Sequence, residues 1–323
     1  MVTLKILTVK NLFSLGLGVA ILFSCTKEVQ VAFPEHEPQL VINSLFSPDK
    51  AINVTLGESK AILDDSDRLP IKDAQIVLHQ GNVQIDSLVW QEETRTYKST
   101  IKALEGNVYG FQLNYKDNFL RAKDHIPRTP LFENSVIIDS VYFGGEGEFF
   151  NQLTITLIDN PDEENFYELV LLYYKKHSQE EAEEESQSFF NDFTSSVSYD
   201  VNNNDPIILS EGLLPYYPET LLFTDKNFSH TRQTLKLNYD LFNLSFYDNN
   251  TDREISVILK LRSVSSNYYT YKKNQIIHLN NQESDLWEGT GEPISVYSNI
   301  SNGLGIFAGY NEVIDTIQKQ LPQ

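Results

Sequence analysis

QLVINSLFSPDKAINVTLGES, from Gln39 to Ser59, is the stretch from which the fold class can be predicted. It contains two short runs rich in β-branched and other large apolar residues, and the turn-forming sequence SPDK separates them. Side chains of this kind suit a pleated, half-buried strand, and proline followed by aspartate is typical of a turn. The stretch therefore predicts two neighbouring β-strands joined by a short connection.

The same rhythm continues as far as residue 128. Turn signals such as QGN and KDN separate further strand-like runs, which are DAQIVLHQ, VQIDSLVW, RTYKSTI, NVYGFQLNY and FLRAKDHI. Many short strands at regular spacing are typical of antiparallel sandwiches. We predict an Ig-like or prealbumin-like antiparallel β-sandwich over residues 38–128, with Pro127 and Pro130 marking its end.

Residues 129–323 are predicted to form a larger antiparallel β-sandwich or barrel-like domain. Its strand-like runs are VIIDSVYF, NQLTITLID, NFYELVLLYY, TLLFTD, TLKLNY, EISVILKLRS, PISVYSN and GIFAGY. One helix is expected over residues 265–282, where a serine can cap the first turn, although the tyrosines and isoleucines there also suit a strand. Residues 178–188 are rich in glutamates that repel one another, which indicates a solvated insertion.

The first 24 residues have the pattern of a signal peptide. Lys5 and Lys10 precede an apolar run from Leu12 to Phe23, which is shorter than the roughly 20 residues that a membrane-spanning helix needs. LFSC resembles the bacterial lipobox, so we expect acylation of Cys25 and a tether over residues 25–37. The alternative is an ordinary secretory signal in which the cysteine occurs by chance.

Composition restricts the chemistry and the partners of the chain. Cys25 is the only cysteine among the 323 residues, so no internal disulfide can form and acylation would leave no catalytic thiol. The net charge is −20, with 45 acidic and 25 basic residues. Such a surface repels phosphate backbones, so we expect no nucleic acid partner.

The C-terminal stretch EPISVYSNISNGLGIFAGY, from Glu292 to Tyr310, contains three spaced glycines. A dinucleotide loop must follow a strand and open a helix, and this order is absent from the predicted elements. Asn302-Gly303 instead predicts the turn of a hairpin between PISVYSN and LGIFAGY. Gly305 and Gly309 would then allow a neighbouring backbone or aromatic ring to approach the returning strand.

A calcium loop is the strongest metal candidate in the sequence. Four residues match the ligand positions of an EF-hand, namely Asp200, Asn202, Asn204 and Glu211. Asp205 occupies the position that requires glycine, and Pro206 follows it directly. We therefore favour a polar hairpin connection over calcium binding, and no metal or cofactor is predicted.

Catalytic motifs are missing from the sequence. The six histidines are scattered, and neither a G-x-S-x-G elbow nor a Walker loop is present, so no catalytic residue is assigned. Carboxylate pairs for glycoside hydrolysis come from distant strands, so a hydrolase stays open as a third hypothesis. Tyr216 and Tyr217, in the proline-rich segment GLLPYYPETLLF, are candidate ligand contacts.

Several of these segments carry a family resemblance. The lipobox cysteine, EHEPQLVINSLFSPD, PIKDAQIVLHQGN, ENFYELVLLYY, NNNDPIILSEG, LLFTDKNF, VSSNYYTYKK and EPISVYSNISNGLGIFAGY stand in order along the mature chain. In this the chain resembles a Bacteroidota family of envelope lipoproteins known as a domain of unknown function, DUF4249. The resemblance implies a gene beside a TonB-dependent receptor, and it carries over no catalytic residue. The glutamate-rich insertion has no counterpart in it.

These observations lead to two main functional hypotheses. The first is a non-enzymatic outer-membrane lipoprotein that acts as accessory or binding partner of a TonB-dependent uptake system. The alternative is a free-standing surface lipoprotein that binds a glycan or a peptide. In both, the N-terminal lipid anchors the protein in the outer membrane, at the cell surface or on the periplasmic face, and Thr26-Lys27-Glu28 resembles a surface-export signal.

Overall fold

The computed structural model of the chain describes the elements that follow Glu35. The described residues are 36–61, 64–67, 69–143, 148–159, 163–175, 193–196, 198–199, 205–212, 219–228, 232–240, 255–283 and 294–319. Pro38–Gln323 forms one compact unit. Cys25, the tether up to residue 35, the acidic insertion 178–188 and Tyr216 and Tyr217 lie outside the described residues.

Strands dominate the described chain. In the first half they are β1 Leu40–Phe46, β2 Ala51–Glu58, β3 Gln75–Gln80, β4 Val83–Ser87, β5 Val89–Gln91, β6 Thr96–Lys102, β7 Val108–Tyr115 and β8 Asn118–His125. In the second half they are β9 Leu131–Phe143, β10 Glu148–Ile158, β11 Phe166–Lys175, β12 Phe193–Ser196, β13 Ser198–Tyr199, β14 Thr220–Thr224, β15 Arg232–Asp240, β16 Ile255–Val264 and β17 Leu304–Lys319. Two α-helices accompany them, α1 Pro206–Leu209 and α2 Ser266–Glu283, with a short 3₁₀ turn at Asp225–Asn227. The prediction of a mainly β fold is confirmed.

The strands form three open sheets within the described residues. The largest has the order β12-β11-β16-β17-β1-β2-β6-β5, and β14 also pairs with β11. The two smaller sheets have the orders β13-β15-β10-β9 and β4-β3-β7-β8. Neighbouring strands are antiparallel except for β1 and β17, which run parallel with Ile42 opposite Gly305.

Alternating side chains build the first core. On β1, Leu40, Ile42 and Phe46 are buried while Asn43 and Leu45 are exposed. Because successive side chains point to opposite faces, β1, β2 and β6 turn one apolar face toward the sheet β4-β3-β7-β8. The result is the predicted sandwich of two antiparallel layers. Its core also takes in residues from the C-terminal part of the chain, Ile300 and Phe307.

A second core lies between the remaining strands. Buried side chains of β10 and β15 pack against those of β11, β14 and β16, among them Leu169, Leu237 and Leu259. The predicted domain division after residue 128 stays a prediction: Ile300 and Phe307 belong to the first core, while the other members of the two cores lie on either side of it. The backbone hydrogen bonding nevertheless crosses that division, because β1 pairs with β17 in one continuous sheet.

The predicted helix is confirmed as α2. Ser265 caps it, since its Oγ accepts a hydrogen bond of 3.2 Å from the backbone N–H of Tyr268. Tyr268 and Tyr269 are buried against Ala308 of β17 in a third apolar cluster, so the helix covers one face of the large sheet. None of the helices in the described part of the chain has the length and apolar character that a membrane crossing requires.

The predicted C-terminal hairpin is wrong. Residues 294–300 form no strand, and β17 pairs with β1 and β16 instead of with the segment that precedes it. Asn302 does adopt the positive φ of a turn, 62°. The side chain of Asn299 replaces strand pairing, because it donates to the Phe307 carbonyl at 2.8 Å and accepts from the Phe307 N–H at 3.0 Å.

The predicted role of the later glycines is confirmed. A Cβ on Gly305 would stand 1.9 Å from the carbonyl oxygen of Ile42, and one on Gly309 would stand 2.1 Å from that of His125. Gly305 also has a φ of 104°, which side chains rarely allow. Both glycines lie inside β17 and open no helix within the described residues, whereas a dinucleotide loop would lead into a helix.

Candidate functional site

The outer face of the sheet β4-β3-β7-β8 forms the floor of a cleft of about 760 Å³. On β8 the side chains of Leu120 and Asp124 are buried, so Arg121 and Lys123 point to the opposite, outer face. The strand register places Gly110 between His79 and Lys123. Because Gly110 has no side chain, the floor stays open at that point.

The opposite wall comes from the end of the chain and from α2. Tyr297, Asn299 and Ser301 line it together with Asn267 of the first helical turn. The Tyr297 hydroxyl donates a hydrogen bond of 2.6 Å to Asn267 Oδ1, which joins the C-terminal segment to the helix. The C-terminal stretch with the three spaced glycines therefore supplies one wall of a cleft.

Backbone contacts fix this wall against the sheet. The Ser301 N–H donates to the Arg121 carbonyl at 2.9 Å, and the Asn302 amide donates to the Phe119 carbonyl at 3.1 Å. Ile300, which directly precedes these two residues, is buried in the first core. The segment therefore occupies the edge of β8, and its position over the outer face is set before any ligand binds.

Asp124 fixes the start of α2 beside the cleft. Its buried carboxylate accepts hydrogen bonds from the Ser265 hydroxyl and, at 3.2 Å, from the Gly309 N–H. Ser265 is the residue that caps α2, so this contact ties the helix to β8 and β17 at once. An unpaired buried carboxylate would be costly, which explains why Asp124 is surrounded by donors.

Ser265, Asp124 and His125 lie close together without forming a catalytic triad. In a triad the serine hydroxyl hydrogen-bonds the imidazole that takes its proton, whereas Ser265 donates directly to the aspartate. His125 Nδ1 lies 3.5 Å from Asp124 Oδ1. The interaction with Asp124 raises the pKa of His125, although burial opposes the charged form.

The cleft is cationic in an acidic protein. Arg121 and Lys123 are exposed on its floor and form no ion pair with a described residue, and His79 lies beside them. No aspartate or glutamate is among the described residues that line it. An anion in the cleft would thus meet positive charge and polar groups without a neighbouring carboxylate.

Glu211 is the calcium-loop candidate that the structure describes. Its Oε1 accepts hydrogen bonds of 2.8 and 2.9 Å from the N–H and hydroxyl of Thr224, and its Oε2 accepts from Tyr269 and Lys273. Burial disfavours the carboxylate, but these hydrogen bonds outweigh burial and hold the pKa of Glu211 below its usual value. Here Glu211 joins α2 to β14.

The other members of the calcium candidate fall outside the description. Asp200, Asn202 and Asn204 are not among the described residues, so the preference for a polar hairpin connection over calcium binding stays a prediction. Asp205 caps the short helix α1 by accepting from the Ile207 N–H at 3.0 Å. No group of three or more potential metal ligands is found in the described ranges.

A second buried polar network holds α2 on the large sheet. Glu168 accepts hydrogen bonds from the Arg262 guanidinium at 2.7 Å and from the Tyr268 hydroxyl at 2.6 Å. Glu312 accepts a hydrogen bond of 2.7 Å from the Arg262 Nε–H. Burial opposes the charge of Arg262, but its carboxylate partners outweigh burial and raise its pKa. This network is structural and lies outside the cleft.

Sequence reasoning did not identify the residues of the cleft. Arg121 and Lys123 gave a weak signal, since two cations at alternate positions of a strand share a face. Asn267 and Tyr297 gave none, because no spacing in the sequence relates them to β8. The candidate contacts Tyr216 and Tyr217 lie outside the described residues, so their role stays a prediction.

Comparison with known proteins gives one informative match. The family model described as "Domain of unknown function (DUF4249)" matches residues 26–315. A search of curated proteins gives no match. Among solved structures, the crystal structure of bovine butyrophilin aligns at 11% sequence identity over 69% of this chain and 92% of that chain, with a TM-score of 0.20. A TM-score this low supports no conclusion about fold or function.

Proposed function

The chain belongs to the DUF4249 family of unknown function, and from this premise we propose that it is a non-enzymatic binding lipoprotein of the outer membrane. In this proposal it holds a small polar ligand as the accessory of a TonB-dependent uptake receptor. The observation that carries the proposal is the cleft between the outer face of β8 and residues 297–301. Its volume of about 760 Å³ falls in the usual range of ligand sites, roughly 300–1,000 Å³.

The cleft has the features of a binding site that exists before the ligand arrives. Hydrogen bonds hold both walls, through Ser301 and Asn302 on one side and through Asp124 and Ser265 on the other. Preorganisation lowers the entropic cost of binding. Ser265, whose buried hydroxyl is hydrogen-bonded to Asp124 of β8, is used as a helix cap, which supports binding over acyl-transfer chemistry.

The membrane anchor and the receptor rest on the sequence. LFSC has the pattern of a lipobox ending at Cys25, and several acyl chains would hold the protein on a bilayer at roughly 0.8 kcal/mol per buried CH₂. The resemblance to envelope lipoproteins supports the association with a receptor.

Chemical crosslinking in intact cells, followed by purification from outer membranes, tests this function. We expect the full-length chain to be recovered with a TonB-dependent receptor. Cys25→Ala is the control, because it removes the acylated sulfur and should release the protein from the membrane fraction. Recovery of the anchored chain without a receptor would contradict the accessory role.

The alternative, a free-standing glycan- or peptide-binding lipoprotein, is favoured by one feature of the cleft. Its described lining carries neutral polar side chains, such as Asn82, Gln112 and Asn267, that can hydrogen-bond sugar hydroxyls or peptide groups. The same crosslinking experiment separates the two, because a free-standing binder needs no stable partner. A glycan array should then show binding, and its loss in Tyr216→Ala and Tyr217→Ala would place those residues at the site.

A further inference from the structure

We propose that the cleft binds an acidic oligosaccharide, with a uronate carboxylate held by Arg121 and Lys123. This inference rests on the binding function proposed above and adds the chemical class of the ligand. Arginine presents a planar fork of N–H donors that matches a carboxylate in two parallel hydrogen bonds. Lys123, two positions along the same strand face, supplies a second cation.

Their position in the cleft distinguishes Arg121 and Lys123 from other basic residues that form no ion pair with a described residue. Ion pairs engage Lys60, Lys72, Lys226, Arg232, Arg262 and Lys273. Lys98 and Lys102 of β6 are exposed and form no ion pair with a described residue, but they are not among the described residues that line the cleft. Arg121 and Lys123 combine an unpaired charge with a concave site, where the field acts on a bound group.

The charge of the whole protein makes this local arrangement selective. The chain carries 45 acidic residues against 25 basic ones, so its surface repels anions in general. The described lining of the cleft has no carboxylate. The one acidic residue of β8, Asp124, faces the interior and accepts hydrogen bonds from the Ser265 hydroxyl and the Gly309 N–H. An anion is thus attracted to the cleft although most of the surface repels it.

The remaining lining suits sugar hydroxyls. Its neutral polar side chains are Asn82, Gln112, Asn267, Tyr297, Asn299 and Ser301. Tyr297 donates to Asn267 Oδ1, which leaves the Asn267 amide N–H groups as donors and the Tyr297 oxygen as an acceptor. The apolar side chains at the cleft are Ala122 and Phe111, and Phe111 is only 1% exposed. Among the described lining residues, a peptide with large apolar side chains would find no apolar pocket for them.

Isothermal titration calorimetry on the full-length chain in detergent tests the inference. The probes are trigalacturonic acid and its neutral trimethyl ester, which share the same sugar framework. We expect the acid to bind at least about tenfold more tightly than the ester, a difference of about 1.4 kcal/mol. Its affinity should also fall as sodium chloride is raised, because exposed charges are screened.

Matched variants assign the effect to the cleft. Arg121→Gln combined with Lys123→Gln should weaken binding of the acid at least about tenfold and leave the ester unchanged. Lys98→Gln combined with Lys102→Gln removes the same charge from another strand and should leave both affinities within about twofold. All four residues are exposed, and circular dichroism on each variant checks that the fold is kept.

Three results would overturn the inference. They are absence of binding by trigalacturonic acid, equal binding of acid and ester, and an equal loss in the control pair. Tight binding of triglutamate with trigalacturonate inert would assign the cleft to an acidic peptide instead. None of these results changes the expected crosslinking to a receptor, because that experiment does not depend on the ligand. Failure of the inference and failure of the proposed function are therefore distinguishable.

Discussion

Replacing Gly305 with alanine is expected to destabilise the protein more than any other single methyl addition at a glycine of β1, β2 or β17. Gly305 lies opposite Ile42 in the parallel pair of β1 and β17. Its φ is 104°, and a Cβ built on it stands 1.9 Å from the Ile42 carbonyl oxygen. That atom belongs to the backbone of a central strand, so it cannot move aside as the end of a flexible side chain can.

The magnitude follows from two costs. Holding a non-glycine residue in such a backbone conformation costs about 1–3 kcal/mol. Relieving the contact separates β1 from β17, and each ladder hydrogen bond that is lost removes roughly 0.5–1.5 kcal/mol. With two or three such bonds weakened, the expected loss is about 4 kcal/mol, a large share of the roughly 5–15 kcal/mol that stabilises a folded protein.

Gly57→Ala is the matched control. Gly57 pairs with Val41 on the other side of β1, and a Cβ there meets no atom within 4 Å. Its φ lies outside the left-handed region. Alanine at such a position is expected to leave the stability unchanged or raise it by about 0.4–1 kcal/mol, because it restricts the unfolded chain. The two substitutions are chemically identical, yet only Gly305→Ala is expected to destabilise the protein.

Urea unfolding of the full-length variants measures both effects. Tryptophan fluorescence is a suitable signal, since Trp90 packs on Tyr97 with ring centroids 5.2 Å apart. The free energy of unfolding in water comes from linear extrapolation to zero urea. The comparison requires that the slope of this free energy against urea concentration is the same for both variants. If Gly305→Ala loses less than about 1 kcal/mol relative to Gly57→Ala, the close approach of β1 and β17 does not limit stability and the reasoning fails.

Glu168→Gln should cost about 3 kcal/mol of unfolding free energy, because it leaves Arg262 without its most buried counter-charge, and unchanged urea midpoints would contradict this. Glu211→Gln should lower stability at neutral pH. The pKa of Glu211 is lowered in the folded state, so its contribution is present above the ordinary value of 4.5 and is lost as pH falls through the folded value. The difference in unfolding free energy between wild type and variant, measured by urea titration, should therefore disappear in acid. A difference that does not change with pH would refute the assignment. A double-mutant cycle with Ser265→Ala and Asp124→Ala should give a coupling of about 1–3 kcal/mol, and additive losses would show that the contact contributes nothing.

The strand content of this protein follows from local pattern. Along β8 the buried Leu120 and the exposed Arg121 alternate as the sequence predicts, because side chains on a strand point to opposite faces in turn. The start of α2 also follows from the local sequence, since Ser265 caps the helix through its own hydroxyl. In both cases the deciding interaction joins residues that are close in sequence.

The candidate site could be predicted only in part. The shared face of Arg121 and Lys123 follows from their spacing, and the polar end of the chain was visible as a distinctive motif. The cleft itself required Asn267 and Tyr297 to meet the outer face of β8. That meeting depends on Asp124 anchoring the helix, and no periodicity or motif encodes such a contact.

The sequence by itself determined most of the strands, though not the absence of a strand at residues 294–300, and it determined where the long helix begins and that Gly305 and Gly309 stand where a neighbour comes close. Only the tertiary structure decided the pairing of β17, which lies parallel to β1 and antiparallel to β16 instead of folding back on residues 294–300. A strand's pattern specifies its two faces, while its two edges carry the same backbone groups in every strand. Which edge meets which partner is therefore settled by the packing of the whole chain, and the cleft follows from that choice.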